Sequence, residues 1–118
     1  MDSRNAETLV EEAIFEFTMG GHDKALALIA EALAADPDSF PAWHAKAEIH
    51  FDRRELDAAL EAGDRAAAIS PDDVHIHTTL SRVWMERGDK TKAEHHGARA
   101  RVLGWKDQLK ENPGPSGF

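Results

Sequence analysis

The amino-acid sequence predicts an all-α protein built from stacked pairs of helices. Three observations predict this fold class. Small residues recur at a spacing of 34, prolines recur at the same spacing, and apolar residues within each unit fall three and four apart. A fixed period in this range is typical of repeated supersecondary units rather than of one globular core. The residues that keep the spacing are Ala25, Ala59 and Ala93; Ala32, Ala66 and Ala100; Ala13, Ala47 and Ser81; and Pro37 and Pro71.

The first repeat is predicted to contain two helices, each with an apolar stripe along one face. Gly20-Gly21 ends the first helix, and His22-Asp23 begins the second. Asp36-Pro37 ends the second helix, because the residue before a proline disfavours the helical conformation. The two stripes consist of Leu9, Val10, Ala13, Ile14 and Phe17, and of Leu26, Ile29, Ala32 and Leu33.

The same pattern predicts four further helices at about 40–52, 56–69, 74–87 and 90–103. Turns are expected at Arg53-Arg54-Glu55 and Gly88-Asp89, and Ser70-Pro71 ends the fourth helix. Gly104 is predicted to cap the sixth helix, because glycine readily adopts the left-handed conformation found after many helices.

These helices predict one domain over residues 1–105, with units at about 6–39, 40–73 and 74–105. Residues 106–118 are predicted to form a partial capping turn and a flexible tail, since Asn112-Pro113-Gly114-Pro115 disfavours regular structure. Terminal repeats normally need a polar outer face or a capping helix. Two arrangements are compatible with the sequence here. Trp105 and Leu109 supply a partial cap, or Trp105 folds back onto Leu103.

The composition excludes several classes of protein. There is no cysteine, so disulfides, thiol catalysis and cysteine metal sites are excluded. No run of about 18 apolar residues is present to span a membrane. The polar start is unlike a secretory signal, and together these features suggest the cytoplasm. A net charge of −8 argues against nucleic acid or an anionic membrane as the main partner.

The charge is unevenly distributed along the chain. Residues 1–86 carry 18 Asp or Glu and 7 Lys or Arg, whereas residues 87–118 carry 4 Asp or Glu and 7 Lys or Arg. This pattern is typical of a solvated acidic surface with a mildly basic last helix. The same charge distribution also fits an association in which the acidic N-terminal part of one molecule contacts the basic C-terminal part of another.

The phased residues resemble the tetratricopeptide repeat (TPR) family. Counting units from Ala6, Phe40 and Val74, repeat position eight is Ala13, Ala47 and Ser81, and position fifteen is Gly20, Arg54 and Gly88. The resemblance covers residues 6–105 and implies three helix pairs in a right-handed superhelix. Two details stay open. Shifting the first helix by one residue places Val10 and Phe17 at the bulky positions four and eleven. Gly63 and Gly97 each lie inside a predicted helix. Either they allow neighbouring helices to approach closely, with room for Trp43 or Trp84, or a glycine is simply tolerated there.

The resemblance implies that the first helix of each repeat lines a concave groove. The inward positions predict a peptide-binding site. Its residues are Val10, Ile14 and Phe17 in the first repeat, His44, Glu48 and Phe51 in the second, and His75, Thr78, Arg82 and Met85 in the third.

The residue types in the groove also allow other interpretations. His44, Glu48 and His75 suit a metal chemically, but ordinary polar groove residues are the simpler interpretation, and neither metal nor cofactor is expected. Histidine and arginine there could instead meet an acidic ligand. The clamp that holds chaperone C-terminal carboxylates in some TPR proteins needs cations and amides where this chain has Val10, Ile14, Ala45, His75 and Thr79. No such chaperone ligand is expected.

The sequence therefore predicts a non-catalytic interaction scaffold that binds a peptide or partner protein through the concave groove. No nucleophile elbow, phosphate-binding loop or zinc-protease motif is present to suggest an enzyme. The alternative is a self-assembling unit that forms homo-oligomers through acidic helix one and basic helix six, or through an apolar surface at Phe15, Phe17 or Trp105.

Overall fold

The computed structural model describes residues 5–111, which form six α-helices in three antiparallel pairs. The helices are α1 (Ala6–Thr18), α2 (His22–Ala35), α3 (Phe40–Asp52), α4 (Leu56–Ile69), α5 (Val74–Arg87) and α6 (Lys90–Glu111). The all-α repeat fold predicted from the 34-residue period is confirmed.

The first helix of every pair begins in the same way. Asn5, Ser39 and Asp73 stand 34 residues apart, and each side-chain oxygen accepts a hydrogen bond from the backbone N–H three residues later. These bonds satisfy amide groups that have no partner inside the helix. The repeat therefore specifies helix starts as well as apolar stripes.

The turn inside each pair resolves the register of the first helix. Gly20, Arg54 and Gly88 all have positive φ, at 88°, 64° and 91°. Since the three stand 34 residues apart and α1 and α3 both have 13 residues, the first helix holds no extra residue. The alternative register, in which the first helix is shifted by one residue, is therefore wrong. The apolar side chain of Phe17 instead lines the concave surface described below.

The core lies between the helices as two clusters of buried side chains. Small residues dominate the contacts, and Ala13, Ala25, Ala32, Ala59 and Ala66 are completely buried. Leu9, Leu28 and Ile29 fill the first cluster, and Leu60, Ile76, Leu80 and Val83 fill the second.

Gly63 explains how closely α4 and α5 approach each other. A Cβ atom at this position would lie 2.6 Å from Cδ2 of Leu80, which is fully buried. Close approach at Gly63 is therefore confirmed, but the glycine makes room for Leu80 rather than for Trp43. At Gly97 a Cβ would lie 3.3 Å from the Ser81 hydroxyl, so that site also faces Ser81 and not Trp84.

The residues at repeat position four of the second and third repeats, Trp43 and His77, link consecutive repeats through hydrogen bonds. Trp43 donates from its indole nitrogen to the Pro37 carbonyl at 2.8 Å, and His77 donates from Nε2 to the Pro71 carbonyl at 2.7 Å. Both carbonyls belong to the proline that closes the preceding repeat. A tryptophan and a histidine thus make the same contact 34 residues apart.

The end of α6 corrects the sequence prediction. The helix runs without interruption through Gly104 to Glu111, so Gly104 lies inside it and does not cap it. Trp105 stays 65% exposed instead of folding back onto the core, whereas Leu103 is buried. The predicted flexible tail at 112–118 lies outside the described residues.

The contacts between helices place the first helix of each pair on the inside of a curve. Within residues 5–111, α1 packs against α3 and α3 against α5, whereas α2, α4 and α6 make no close backbone contact with one another. An array whose first helices touch and whose second helices diverge is concave on the side of α1, α3 and α5. No helix of this region is long and apolar enough to cross a membrane.

Candidate peptide-binding groove

The part of the concave surface between α1 and α3 is an open apolar cleft of about 360 Å³. Ile14 and Phe17 line it from α1, and Phe40, Pro41 and Ala45 line it from α3. Ile14 is 47% exposed, which is unusual for a large aliphatic side chain beside other apolar groups. We call this part the apolar half of the groove.

The polar half adjoins it toward α5, in a second cleft of about 420 Å³. Phe17 and Phe51 form its apolar walls, and Glu48, Arg54 and Arg82 supply charge. The Arg82 guanidinium lies 4.9 Å from the centre of the Phe51 ring, a distance that favours a cation–π contact. Phe17 and Glu48 line both halves, so the groove is continuous.

Glu48 is the centre of a hydrogen-bonded network in the groove. The Thr79 hydroxyl donates to Glu48 Oε2 at 2.5 Å, and Arg82 Nη2 lies 3.4 Å from Oε1. His44 Nε2 lies 3.0 Å from the Thr79 hydroxyl oxygen. The same hydroxyl lies 3.0 Å from the carbonyl of His75, so its single hydrogen has two nearby acceptors, and the shorter contact favours the carboxylate. In that arrangement His44 donates to the hydroxyl oxygen from Nε2.

This network keeps Glu48 ionised. His44, whose Nε2 lies 3.6 Å from Oε2, together with the Thr79 hydroxyl and Arg82, lowers the pKa of Glu48 to about 2, although burial acts in the opposite direction. A fixed negative charge therefore lies at the boundary of the two halves.

The arginines of the polar half already have anionic partners. Arg82 faces Glu48, and Arg54 donates to Glu86 at 2.8 Å. An acidic ligand would have to displace these carboxylates. The charge pairing therefore disfavours the interpretation in which arginine and histidine meet an acidic ligand.

The structure brings together six of the ten residues expected in the groove: Ile14, Phe17, His44, Glu48, Phe51 and Arg82. Val10 is only 4% exposed and belongs mainly to the first core cluster. His75, Thr78 and Met85 are exposed on α5 but line neither half, and Thr78 donates to the carbonyl of Val74 in its own helix.

His44, Glu48 and His75 do not form a metal site. The α5 residue that reaches His44 and Glu48 is Thr79, whereas the His75 side chain is exposed. Among residues 5–111 no group of three or more histidine, cysteine, aspartate or glutamate side chains is arranged to hold a metal ion.

Thr79 is the residue of the Glu48 network that the inward positions of the repeat did not include. It is 2% exposed and lies between α3 and α5. A signal was present in the sequence, because Thr79 is polar at repeat position six, where the second repeat has Ala45. A buried hydroxyl needs a partner, and the preceding inner helix supplies Glu48.

Comparison with known proteins agrees with this architecture. The tetratricopeptide repeat family model matches residues 10–74, which is more than half of the chain. The chain belongs to the tetratricopeptide repeat family. No curated protein sequence shows significant similarity to it.

Solved TPR structures superpose well on this TPR chain. A crystal structure of MamA matches with a TM-score of 0.84 and 18% identity, over 90% of this chain and 62% of MamA. The second TPR of Spaghetti (RPAP3), bound to the HSP90 peptide SRMEEVD, matches with a TM-score of 0.80 and 13% identity, over 83% of this chain and 91% of that one. The chain thus spans less than two thirds of the MamA structure.

An enzyme also contains a similar unit. The O-GlcNAc transferase of Thermobaculum terrenum matches with a TM-score of 0.80 and 21% identity, over 87% of this chain but only 20% of the transferase. All three identities are low enough that these likenesses show the fold alone. TPR arrays generally act as protein-interaction scaffolds through their extended surfaces.

Proposed function

We propose that this TPR protein is a non-catalytic scaffold whose concave groove binds a segment of a partner protein. The observation that carries the proposal is the continuous groove, in which the exposed side chain of Ile14 and the half-buried side chain of Phe17 lie beside the charged network around Glu48. Apolar anchors supply most of the energy of peptide recognition, and nearby polar groups set its direction and specificity.

The charges of the groove favour a partner segment with apolar anchors and net positive charge. The ionised Glu48 lies at the centre, and both groove arginines face carboxylates. A net charge of −8 on the chain also attracts cationic partners over a longer range. A segment with an aromatic or aliphatic anchor beside lysine or arginine fits both halves.

A pair of variants on α1 tests this proposal. A random peptide library displayed on phage is selected against the wild-type protein, and the affinity of the selected peptides is measured by fluorescence anisotropy. Ile14→Glu places a charge in the apolar half and is expected to weaken binding by about tenfold or more. Phe15→Glu is the matched control, because Phe15 is 60% exposed on the same helix and lines neither half.

Both variants should keep the helical circular dichroism of the wild type, since both side chains are exposed. Selected peptides that bind Ile14→Glu as tightly as the wild type would contradict a groove site. Selected peptides rich in aspartate and glutamate would contradict the preference for positive charge.

A further inference from the structure

The last helix exposes an apolar stripe on the side that faces away from its own core. Val102, Trp105 and Leu109 are 54%, 65% and 48% exposed. They stand three and four residues apart, so they lie along one face of α6 over about 10 Å. Leu103, which is buried, lies on a different face. The continuation of α6 through Gly104 creates this surface.

Most of the charge beside the stripe is positive, although Asp72 and Asp107 line a cleft together with Lys106, Leu109 and Lys110. At 100° per residue, Lys106 and Lys110 lie on one side of it and Arg101 on the other, whereas Asp107 and Glu111 lie on the opposite face of the helix. We call the surface formed by Val102, Trp105, Leu109, Arg101, Lys106 and Lys110 the basic stripe.

A cleft of complementary chemistry lies at the other end of the array, between α1 and the loop from α2 to α3. Ile14 and Phe40 contribute apolar surface, and Glu7, Glu11, Asp36 and Asp38 line it with carboxylates. Its volume is about 530 Å³, and among residues 5–111 no lysine or arginine lines it. We call these six residues the acidic cleft.

One copy of the chain cannot join these two surfaces. The acidic cleft belongs to the first repeat, and α6 is the last helix and packs only against α5 among the helices of residues 5–111. The molecule is 57 Å long in its largest dimension. Contact between the two surfaces therefore requires two molecules.

We propose that the basic stripe of one copy docks in the acidic cleft of a second copy, so that the protein associates head to tail. Apolar side chains meet apolar side chains in this arrangement, and the lysines meet carboxylates. Such an interface uses two different surfaces, so each added copy leaves one free cleft and one free stripe. The product is an open chain of copies or a ring, and not a two-fold dimer.

This association does not depend on the proposed peptide function, although Ile14 and Phe40 belong to both surfaces. A docked copy would therefore compete with a peptide for the apolar half of the groove. The lysines of the stripe lie far from the groove, so substitutions there separate the two properties.

Light scattering coupled to size exclusion measures the association of the full chain. The mean mass of the wild type is expected to rise above 13.0 kDa with concentration. The rise should be smaller at about 1 M salt than at about 0.05 M, because screening weakens the charge pairing. A wild type that stays monomeric up to about 1 mM, or one whose association ignores salt, would overturn the proposal.

Charge reversal identifies the surfaces. Lys106→Glu/Lys110→Glu changes the net charge of the stripe from positive to negative, and Glu11→Lys/Asp38→Lys removes the net negative charge of the cleft. Each double variant alone is expected to associate about tenfold or more weakly than the wild type. An equimolar mixture should recover part of the association, because the two glutamates introduced in the stripe then meet the two lysines introduced in the cleft. Lack of recovery in the mixture, with both variants folded by circular dichroism, would count against this pairing.

A single substitution controls for net charge. Lys90→Glu makes the same charge change as Lys106→Glu at the other end of α6, outside the stripe. Lys90→Glu should associate like the wild type, and Lys106→Glu more weakly. Equal weakening in both would assign the effect to overall charge and refute the stripe. Undiminished peptide binding by Lys106→Glu would show that the groove remains intact.

Discussion

Thr79 shows how one buried hydroxyl organises the groove. It accepts from His44 and donates to Glu48, so it connects two residues of α3 to α5. The carboxylate is ionised and held by neighbours on two helices, which gives a partner a defined surface. Preorganisation of this kind lowers the entropy that binding must overcome.

The single substitution Thr79→Val tests the hydrogen-bonded network around Glu48. Valine has nearly the same shape but cannot donate, so the pKa of Glu48 should rise from about 2 toward its ordinary value of 4.5. NMR titration of the Glu48 carboxyl carbon measures this change. The loss of the hydrogen bonds should also lower the free energy of unfolding by about 1 kcal/mol at neutral pH.

The lowered pKa of Glu48 determines how the free energy of unfolding depends on pH. A carboxyl whose pKa is lowered by folding stabilises the folded state above pH 4.5, and this contribution is lost as the pH falls toward 2. The wild type should therefore lose more stability than Thr79→Val over this window. A Glu48 pKa that does not change in the variant would refute the role of the hydroxyl.

Arg54 illustrates a different residue-scale constraint. It adopts a positive φ of 64° at the position where the other two repeats have glycine. A residue with a side chain pays for this conformation in steric strain. The repeat geometry therefore determines the turn even where the amino acid does not favour it.

At the scale of elements, the glycines inside helices have opposite roles. Gly63 lies where α4 meets α5, and nothing but a hydrogen fits between its Cα and Leu80. Gly104 lies in α6 with no atom within 4 Å of the position that a Cβ would occupy. The first glycine permits packing, and the second only lowers helix propensity.

Alanine at these two positions provides a matched comparison by urea denaturation. Gly63→Ala should destabilise the protein by about 1 to 3 kcal/mol, because its Cβ would push against a buried leucine. Gly104→Ala should stabilise it by up to about 1 kcal/mol. Destabilisation by Gly104→Ala would instead support the helix cap that the sequence predicted.

At the scale of the whole molecule, we predict that the negative charge of the groove disfavours the binding of acidic C-terminal peptides. In this chain the positions of the carboxylate clamp named in the sequence analysis include the buried Val10 and Thr79, and Glu48 lies beside Thr79. A peptide with several carboxylates would meet negative charge in the groove.

Calorimetric titration with the peptide SRMEEVD checks this expectation. No heat of binding should be seen at peptide concentrations up to about 1 mM, which corresponds to less than about 4 kcal/mol of binding free energy. A selected cationic peptide serves as the positive control on the same protein sample. Micromolar binding of SRMEEVD would contradict the electrostatic argument.

The helices and their order follow from the sequence because they depend on local and periodic information, whereas the concave side was implied by the resemblance to the TPR family. The 34-residue period, the apolar stripes and the prolines act within one repeat or between neighbours. The caps at Asn5, Ser39 and Asp73 follow the same rule. Gly104 was misassigned because glycine both caps helices and occurs within them, and only the continuing helix distinguishes the two.

The sequence by itself determined that this chain is an array of helix pairs, since every repeat encodes its own pair, and its resemblance to the TPR family implied an inner row of helices. Only the tertiary structure decided which inward side chains form the groove, that Thr79 rather than His75 joins His44 and Glu48, and that α6 exposes the basic stripe. These features depend on distances between residues about 30 positions apart or on surfaces at opposite ends of the array. A periodic sequence pattern specifies which face a side chain lies on, but not which partner it reaches there.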